Sequence, residues 1–167
     1  RNINKLKMPI IKETIDEADI IVATAVSSCH HFLEDVEFDV TIVDEASQVA
    51  SFMALLPLTK CKKFILVGDD KQLQPIEEEG LIELNKSIFN RLLDMYRDDA
   101  STLLDTQYRM NRNIARIASE IFYEGKLLTY EGVAESILDI KPSKNKFLNP
   151  KKPVQFLDTT EIGYYED

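Results

Sequence analysis

Phe38-Asp39-Val40-Thr41-Ile42-Val43-Asp44-Glu45 is β-branched from Val40 to Val43 and then stops on two consecutive acids. That composition predicts a strand over Phe38–Val43, with the acids just past its C-terminal end. Lys63-Phe64-Ile65-Leu66-Val67 reads as another strand, running into Gly68-Asp69. Ile20-Ile21-Val22-Ala23-Thr24 predicts a third strand upstream, and Thr102-Leu103-Leu104-Asp105 a fourth downstream. Between them lie helical stretches at Pro9–Asp19, Ala46–Leu56 (stopped near Pro57), Ser87–Met95 and Asn111–Tyr123. In the last of these, Ile114, Ile117, Ala118, Ile121 and Phe122 fall at helical spacing. Helices alternating with short apolar strands are the pattern of an α/β fold with a parallel sheet. Such sheets bind ligands beyond the C-terminal ends of their strands, where Asp44-Glu45 and Gly68-Asp69 fall.

The chain has 167 residues, 44% hydrophobic and 29% charged, enough for one medium domain or parts of two. No apolar run reaches the length of a membrane span. The net charge of −9 argues against a broad basic nucleic-acid surface, though a narrow one made of amides and hydroxyls remains compatible with it. Two cysteines form no spaced framework, so the expected setting is reducing and intracellular: cytoplasmic, or nuclear in a eukaryote. Cys29-His30-His31 raises a metal question, but adjacent ligands do not readily face one ion and no second CxxC or HxxxH appears, so packing and surface roles are expected there. Lys141–Pro153 is rich in Lys, Asn and Pro and predicts a linker before a last strand, Val154–Leu157. The start, Arg1-Asn2-Ile3-Asn4-Lys5, has neither an initiator Met nor an apolar signal core and reads as an internal boundary.

Tandem acids at the end of an apolar strand are costly to bury unless a cation or hydrogen-bond donors compensate them. In nucleotide hydrolases the first acid holds magnesium and the second orients and deprotonates the attacking water. Taken alone, Asp44-Glu45 is more simply a pair of solvated acids. Leu66-Val67-Gly68-Asp69-Asp70-Lys71-Gln72-Leu73-Gln74-Pro75 adds a glycine directly after a strand, then an acid, then an amide. Gly68 permits a close backbone approach or a positive φ, and Gln72 offers both a donor and an acceptor to a terminal phosphate or its water. Leu104-Asp105-Thr106-Gln107-Tyr108-Arg109-Met110-Asn111 then places an arginine just beyond a strand, able to neutralise charge on a transferred γ-phosphoryl group, beside a tyrosine able to stack on a base. The plainer reading of that stretch is a helix start capped near Asn111 with an exposed arginine.

Asp44-Glu45-Ala46-Ser47-Gln48, Gly68–Pro75 and Gln107-Tyr108-Arg109-Met110 together resemble motifs II, III and IV of superfamily 1 helicases. The branch most resembled contains the nonsense-mediated decay RNA helicase and the replication nuclease-helicases. Ser87–Leu92, Ile121–Leu127 and Ala23–Ser28 match further stretches of that branch, and the resemblance covers roughly residues 18 to 130. It implies a RecA-like parallel sheet of the P-loop NTPase type. Residues 1–105 would be the C-terminal part of a first RecA-like domain, and 106–167 the beginning of a second, with a hinge near Asp105. It implies ATP and Mg²⁺ as cofactors, with Asp44 holding the metal and Glu45 as catalytic base. Gln72 would sense the γ-phosphate, with Gly68 and Asp69 beside it at the nucleotide. Arg109 would act as an arginine finger in cis, Tyr108 would stack on adenine, and Gln107 would help to hold the cleft. Thr24 and Ser27 would contact the backbone of single-stranded DNA or RNA. Protein partners are not implied.

No G-x-x-x-x-G-K-[ST] loop is present, since Gly125-Lys126 is followed by Leu127, and the later arginine motifs of a second domain are missing as well. The resemblance therefore implies an interior piece of an ATP-dependent helicase, with the piece itself inactive. A superfamily 2 (DEAD-box-like) helicase shares Asp-Glu-Ala but carries Ser-Ala-Thr where this chain has Gly68–Gln72. A non-catalytic binding module or helicase remnant is the other class, and the intact acid pair with Arg109 argues against it.

Overall fold

The computed structural model describes residues 2–73, 75, 87–139, 149, 151–156 and 158, with the side chains of the first helix described from residue 7 onward. The chain divides into two compact units, residues 1–101 and 102–167. Both are α/β, each built on one pair of parallel strands.

In the first unit β1 (Phe38–Val43) and β2 (Cys61–Leu66) pair in parallel, with Phe38 opposite Cys61 and Val43 opposite Leu66. Parallel strands need a crossover, supplied by a 3₁₀ turn (Ala46–Gln48) and helix α2 (Ser51–Leu58). Helix α1 (Asn2–Asp16) precedes the sheet and α3 (Ile88–Ala100) follows it. The ladder continues past the named strands, because the Val67 N–H donates to Val43 O at 2.9 Å and the Ala46 N–H donates to Val67 O at 2.8 Å. Those two bonds bring the loops after β1 and β2 together.

The buried core of this unit is small: Leu33, Val43, Ala46 and Ala54. Ile42, Phe64 and Ile65 are about half exposed or more, although parallel strands are normally covered on both faces. The expected strand Ile20–Thr24 is not formed. Ile20 and Val22 are 83% and 93% exposed and the segment pairs with no other strand among the described residues. An apolar run becomes a strand only where a neighbour accepts its hydrogen bonds. The expected single helix over Ala46–Leu56 is instead the 3₁₀ turn followed by α2. Glu45 sits in the left-handed region (φ 52°, ψ 35°), which reverses the chain and delays the helix to Ser51. Helix α1 starts seven residues before the expected Pro9 and passes through it, forgoing the donor that proline lacks.

In the second unit β3 (Thr106–Gln107) and β4 (Leu128–Thr129) pair in parallel around α4 (Arg112–Phe122), and α5 (Glu131–Ala134) follows. The expected strand Thr102–Asp105 is displaced to Thr106–Gln107, and Leu103 and Leu104 are 67% and 81% exposed. Only the Asp105 carbonyl joins the ladder, accepting from Leu128 N–H at 2.6 Å. Helix α4 is capped by Asn111, whose side chain accepts from Asn113 N–H. It closes where the Gly125 N–H reaches back to Ser119 O, with Gly125 at φ 74°. Ser119 Oγ then bonds both the carbonyl and the N–H of Leu127, at 3.1 Å each, and ties α4 to the approach of β4. Residues 154–156 form no strand, Leu157 lies outside the described residues, and so does most of the expected linker.

Candidate active site

Asp44 and Glu45 leave β1 at its C-terminal end. The Glu45 N–H donates to Asp44 Oδ1 at 3.0 Å, and the Glu45 carboxylate accepts from Gln48 Nε2 at 3.0 Å. Asp44 Oδ2 makes no hydrogen bond among the described residues, and Asp44 is exposed. One free, solvated carboxylate oxygen suits Mg²⁺, which keeps most of its water and takes one or two protein carboxylates. Left-handed φ at a non-glycine residue costs on the order of 1–2 kcal/mol, so Glu45 is held against its backbone preference.

The loop after β2 closes onto this turn. Ser47, 1% exposed, accepts the Asp69 N–H on its hydroxyl at 3.2 Å. A Cβ on Gly68 would stand 2.9 Å from Ser47 N and 3.3 Å from the Phe89 ring, so glycine is required for close approach and not for a positive φ. Asp69 organises its own loop: one carboxylate oxygen accepts the Lys71 N–H at 3.0 Å, the other accepts Gln72 Nε2 at 2.8 Å. An open groove is lined by Gln48, Lys71, Gln72 and Leu73. Gln72 and Gln48, the latter bonded to Glu45, both line this groove. Ser87, fully buried, donates its hydroxyl to Ala46 O at 2.8 Å and caps α3 through Phe89 N–H. Asp70 faces Arg97 of α3 and Lys71, both at 3.4 Å, partly exposed pairs of small energetic weight.

Thr24 and Ser27 lie outside this cluster. The Thr24 hydroxyl donates to Ser27 Oγ at 2.8 Å and accepts the Ser27 N–H at 3.2 Å, making a self-contained turn before the 3₁₀ segment Ser27–Cys29. His30 stacks on Phe32 with the His31 ring tilted beside both, both cysteines are free, and no group of metal-binding side chains occurs among the described residues.

The second unit presents its residues differently. The Gln107 side chain uses its whole capacity: Oε1 accepts from Arg109 N–H and Met110 N–H, and Nε2 donates to Met110 O and Thr129 Oγ1. It shapes the Gln107–Met110 loop and has no atom left over for a ligand. Arg109 is exposed and makes no ion pair among the described residues. Tyr108 is 65% exposed, its ring 5.0 Å from that of Tyr130.

Gln48, Ser47, Ser87 and Tyr130 had no assigned role in the sequence. Gln48 and Ser47 lie inside Asp44–Gln48 and Ser87 opens Ser87–Leu92, but the partners of Ser47 and Ser87 stand 22 and 41 residues away, which no local spacing shows.

Two family models, each described as an AAA domain, match residues 1–77 and 84–166. An uncharacterized ATP-dependent helicase of Methanocaldococcus jannaschii is 35% identical over 96% of this chain and 25% of its own length. The chain belongs to the superfamily 1 helicases. DNA-binding protein SMUBP-2 of Mesocricetus auratus is 32% identical over 93% of this superfamily 1 chain and 16% of itself. The DNA replication ATP-dependent helicase/nuclease DNA2 of Gallus gallus is 34% identical over 90% of the chain and 17% of itself. The chain spans a quarter or less of the length of these relatives. Its two parallel strand pairs fit part of a RecA-like, P-loop NTPase fold. No described helix is long and apolar enough to cross a membrane.

Proposed function

We propose that this chain supplies the metal-holding acid, the catalytic base and the γ-phosphate-reading groups of an ATP-dependent helicase or translocase acting on single-stranded DNA or RNA. In this reading residues 1–105 belong to the first RecA-like domain and 106–167 begin the second. The observation that carries it is the joining of the two loops by Ala46 N–H to Val67 O and Asp69 N–H to Ser47 Oγ, which gathers Asp44, Glu45 and Gln72 at one end of a parallel strand pair.

Asp44 would hold magnesium, and the ion would supply charge neutralisation at the phosphates. Glu45 takes the proton of the attacking water, and Gln48 steers its carboxylate. Gln72 reads the terminal phosphate, with the backbone of Gly68 and with Asp69 setting its position. Arg109, free of ion pairs among the described residues, is available to the γ-phosphate, Tyr108 stacks on adenine, and Gln107 positions both through its loop. Thr24 and Ser27 offer hydroxyls and amides to a phosphodiester backbone. The chain alone, without a phosphate-binding loop, turns over ATP negligibly in this reading.

Glu45→Gln in the longer protein tests the assignment. The amide keeps the shape and the bond to Gln48 but cannot accept a proton, so turnover falls by roughly 10² to 10⁴-fold while ATP affinity is kept. A collapse of ATP affinity instead assigns Glu45 to architecture or metal holding. The same assay with single-stranded DNA and RNA as activators reads out the polymer.

A further inference from the structure

We infer that Tyr130 is a positioning residue for the nucleotide site: it is the second ring of a two-tyrosine platform at the C-terminal end of the β3–β4 pair and sets the ring of Tyr108 for the base. This rests on the reading of Tyr108 as the stacking residue. The register carries the inference. Gln107 stands opposite Thr129 in the parallel ladder, so the next residues along the two strands, Tyr108 and Tyr130, emerge side by side. Their rings lie 5.0 Å apart at 35°, within the range of favourable aromatic pairs.

Neither ring is there for burial, since Tyr108 is 65% exposed and Tyr130 is 51% exposed. The backbone of Tyr130 is nevertheless held on both sides. Its N–H donates to Gln107 O at 3.0 Å, and its carbonyl accepts the Val133 N–H at 3.1 Å. The ring occupies ground that Gly132 leaves open, because a Cβ at 132 would collide with the ring edge. Gly132 thus keeps a place for the Tyr130 ring, and that ring restricts Tyr108. Two exposed aromatic rings, backbone-clamped beyond parallel strands, form a surface suited to a flat heterocycle.

The test is steady-state ATP hydrolysis by the longer protein at saturating single-stranded nucleic acid. Tyr130→Ala is expected to raise KM for ATP by about 3- to 10-fold with kcat unchanged. Tyr130→Phe, which keeps the ring, is expected to behave as wild type. The inhibition constant of inorganic tripolyphosphate, which has no base, is expected not to move. If Tyr130→Ala fails to fold, Tyr130→Leu makes the same comparison with apolar bulk but no aromatic face.

Tyr108→Ala run in parallel separates the two ideas. An unchanged KM for Tyr108→Ala sinks the stacking reading itself. A raised KM for Tyr108→Ala with an unchanged KM for the ring-less Tyr130 variant overturns only the role of Tyr130. So does a ring-less variant that weakens tripolyphosphate equally, or one that weakens single-strand affinity while leaving KM for ATP alone.

Discussion

Both units carry chemically suited residues just past the C-terminal end of a parallel strand pair, yet the first pair has six-residue strands and the second has two. In the first, the ladder itself runs on into the loops, and one buried hydroxyl, Ser47, adds the link to Asp69. In the second, the ladder is too short to dictate the loop, and one side chain, Gln107, makes four bonds that shape it. Where backbone pairing is scarce, side-chain hydrogen bonding has to specify the geometry. The two loops therefore differ in how much depends on a single residue.

The largest expected effect comes from the group that the second loop presents. Arg109→Ala in the longer protein is expected to lower turnover by about 10³-fold. It is also expected to weaken a non-hydrolysable ATP analogue much more than ADP, with Arg109→Lys restoring only part of the loss. Equal losses for both nucleotides would leave the Gln107 loop presenting nothing to the γ-phosphate.

A smaller effect bears on the comparison itself. Gln107→Ala strands two N–H groups, a carbonyl and a hydroxyl at once, and is expected to destabilise the chain by roughly 2–3 kcal/mol. Ser47→Ala strands one N–H and is expected to cost about 1 kcal/mol, because the Ala46–Val67 bond still joins the loops. Urea unfolding of both variants measures this. Equal costs would mean that the longer ladder gives the first loop no protection.

The same contrast explains what the sequence could and could not reveal. β1 falls on the expected Phe38–Val43, and α4 lies one residue inside each expected end, because β-branching and helical spacing are local signals. β2 is displaced by one or two residues from Lys63–Val67 at either end. Ile20–Thr24 failed because its apolar run says nothing about whether a strand lies alongside. A two-residue strand such as Thr106–Gln107 has no periodicity to detect, so the apolar residues just before it drew the assignment. In the candidate site, the acids and amides were singled out by motif spacing, whereas Ser47 and Ser87, though inside quoted stretches, show their distant backbone partners only in the fold.

Glu45 bears one consequence beyond chemistry. Its backbone occupies a region that glycine enters freely and that asparagine and aspartate tolerate better than glutamate does. A randomised library of this chain screened only for resistance to proteolysis should therefore drift at position 45 toward glycine, asparagine or aspartate. A library of the longer protein screened for ATP turnover should keep glutamate there. Divergence of the two populations at this one codon would record, in sequencing counts, a conflict between folding and activity.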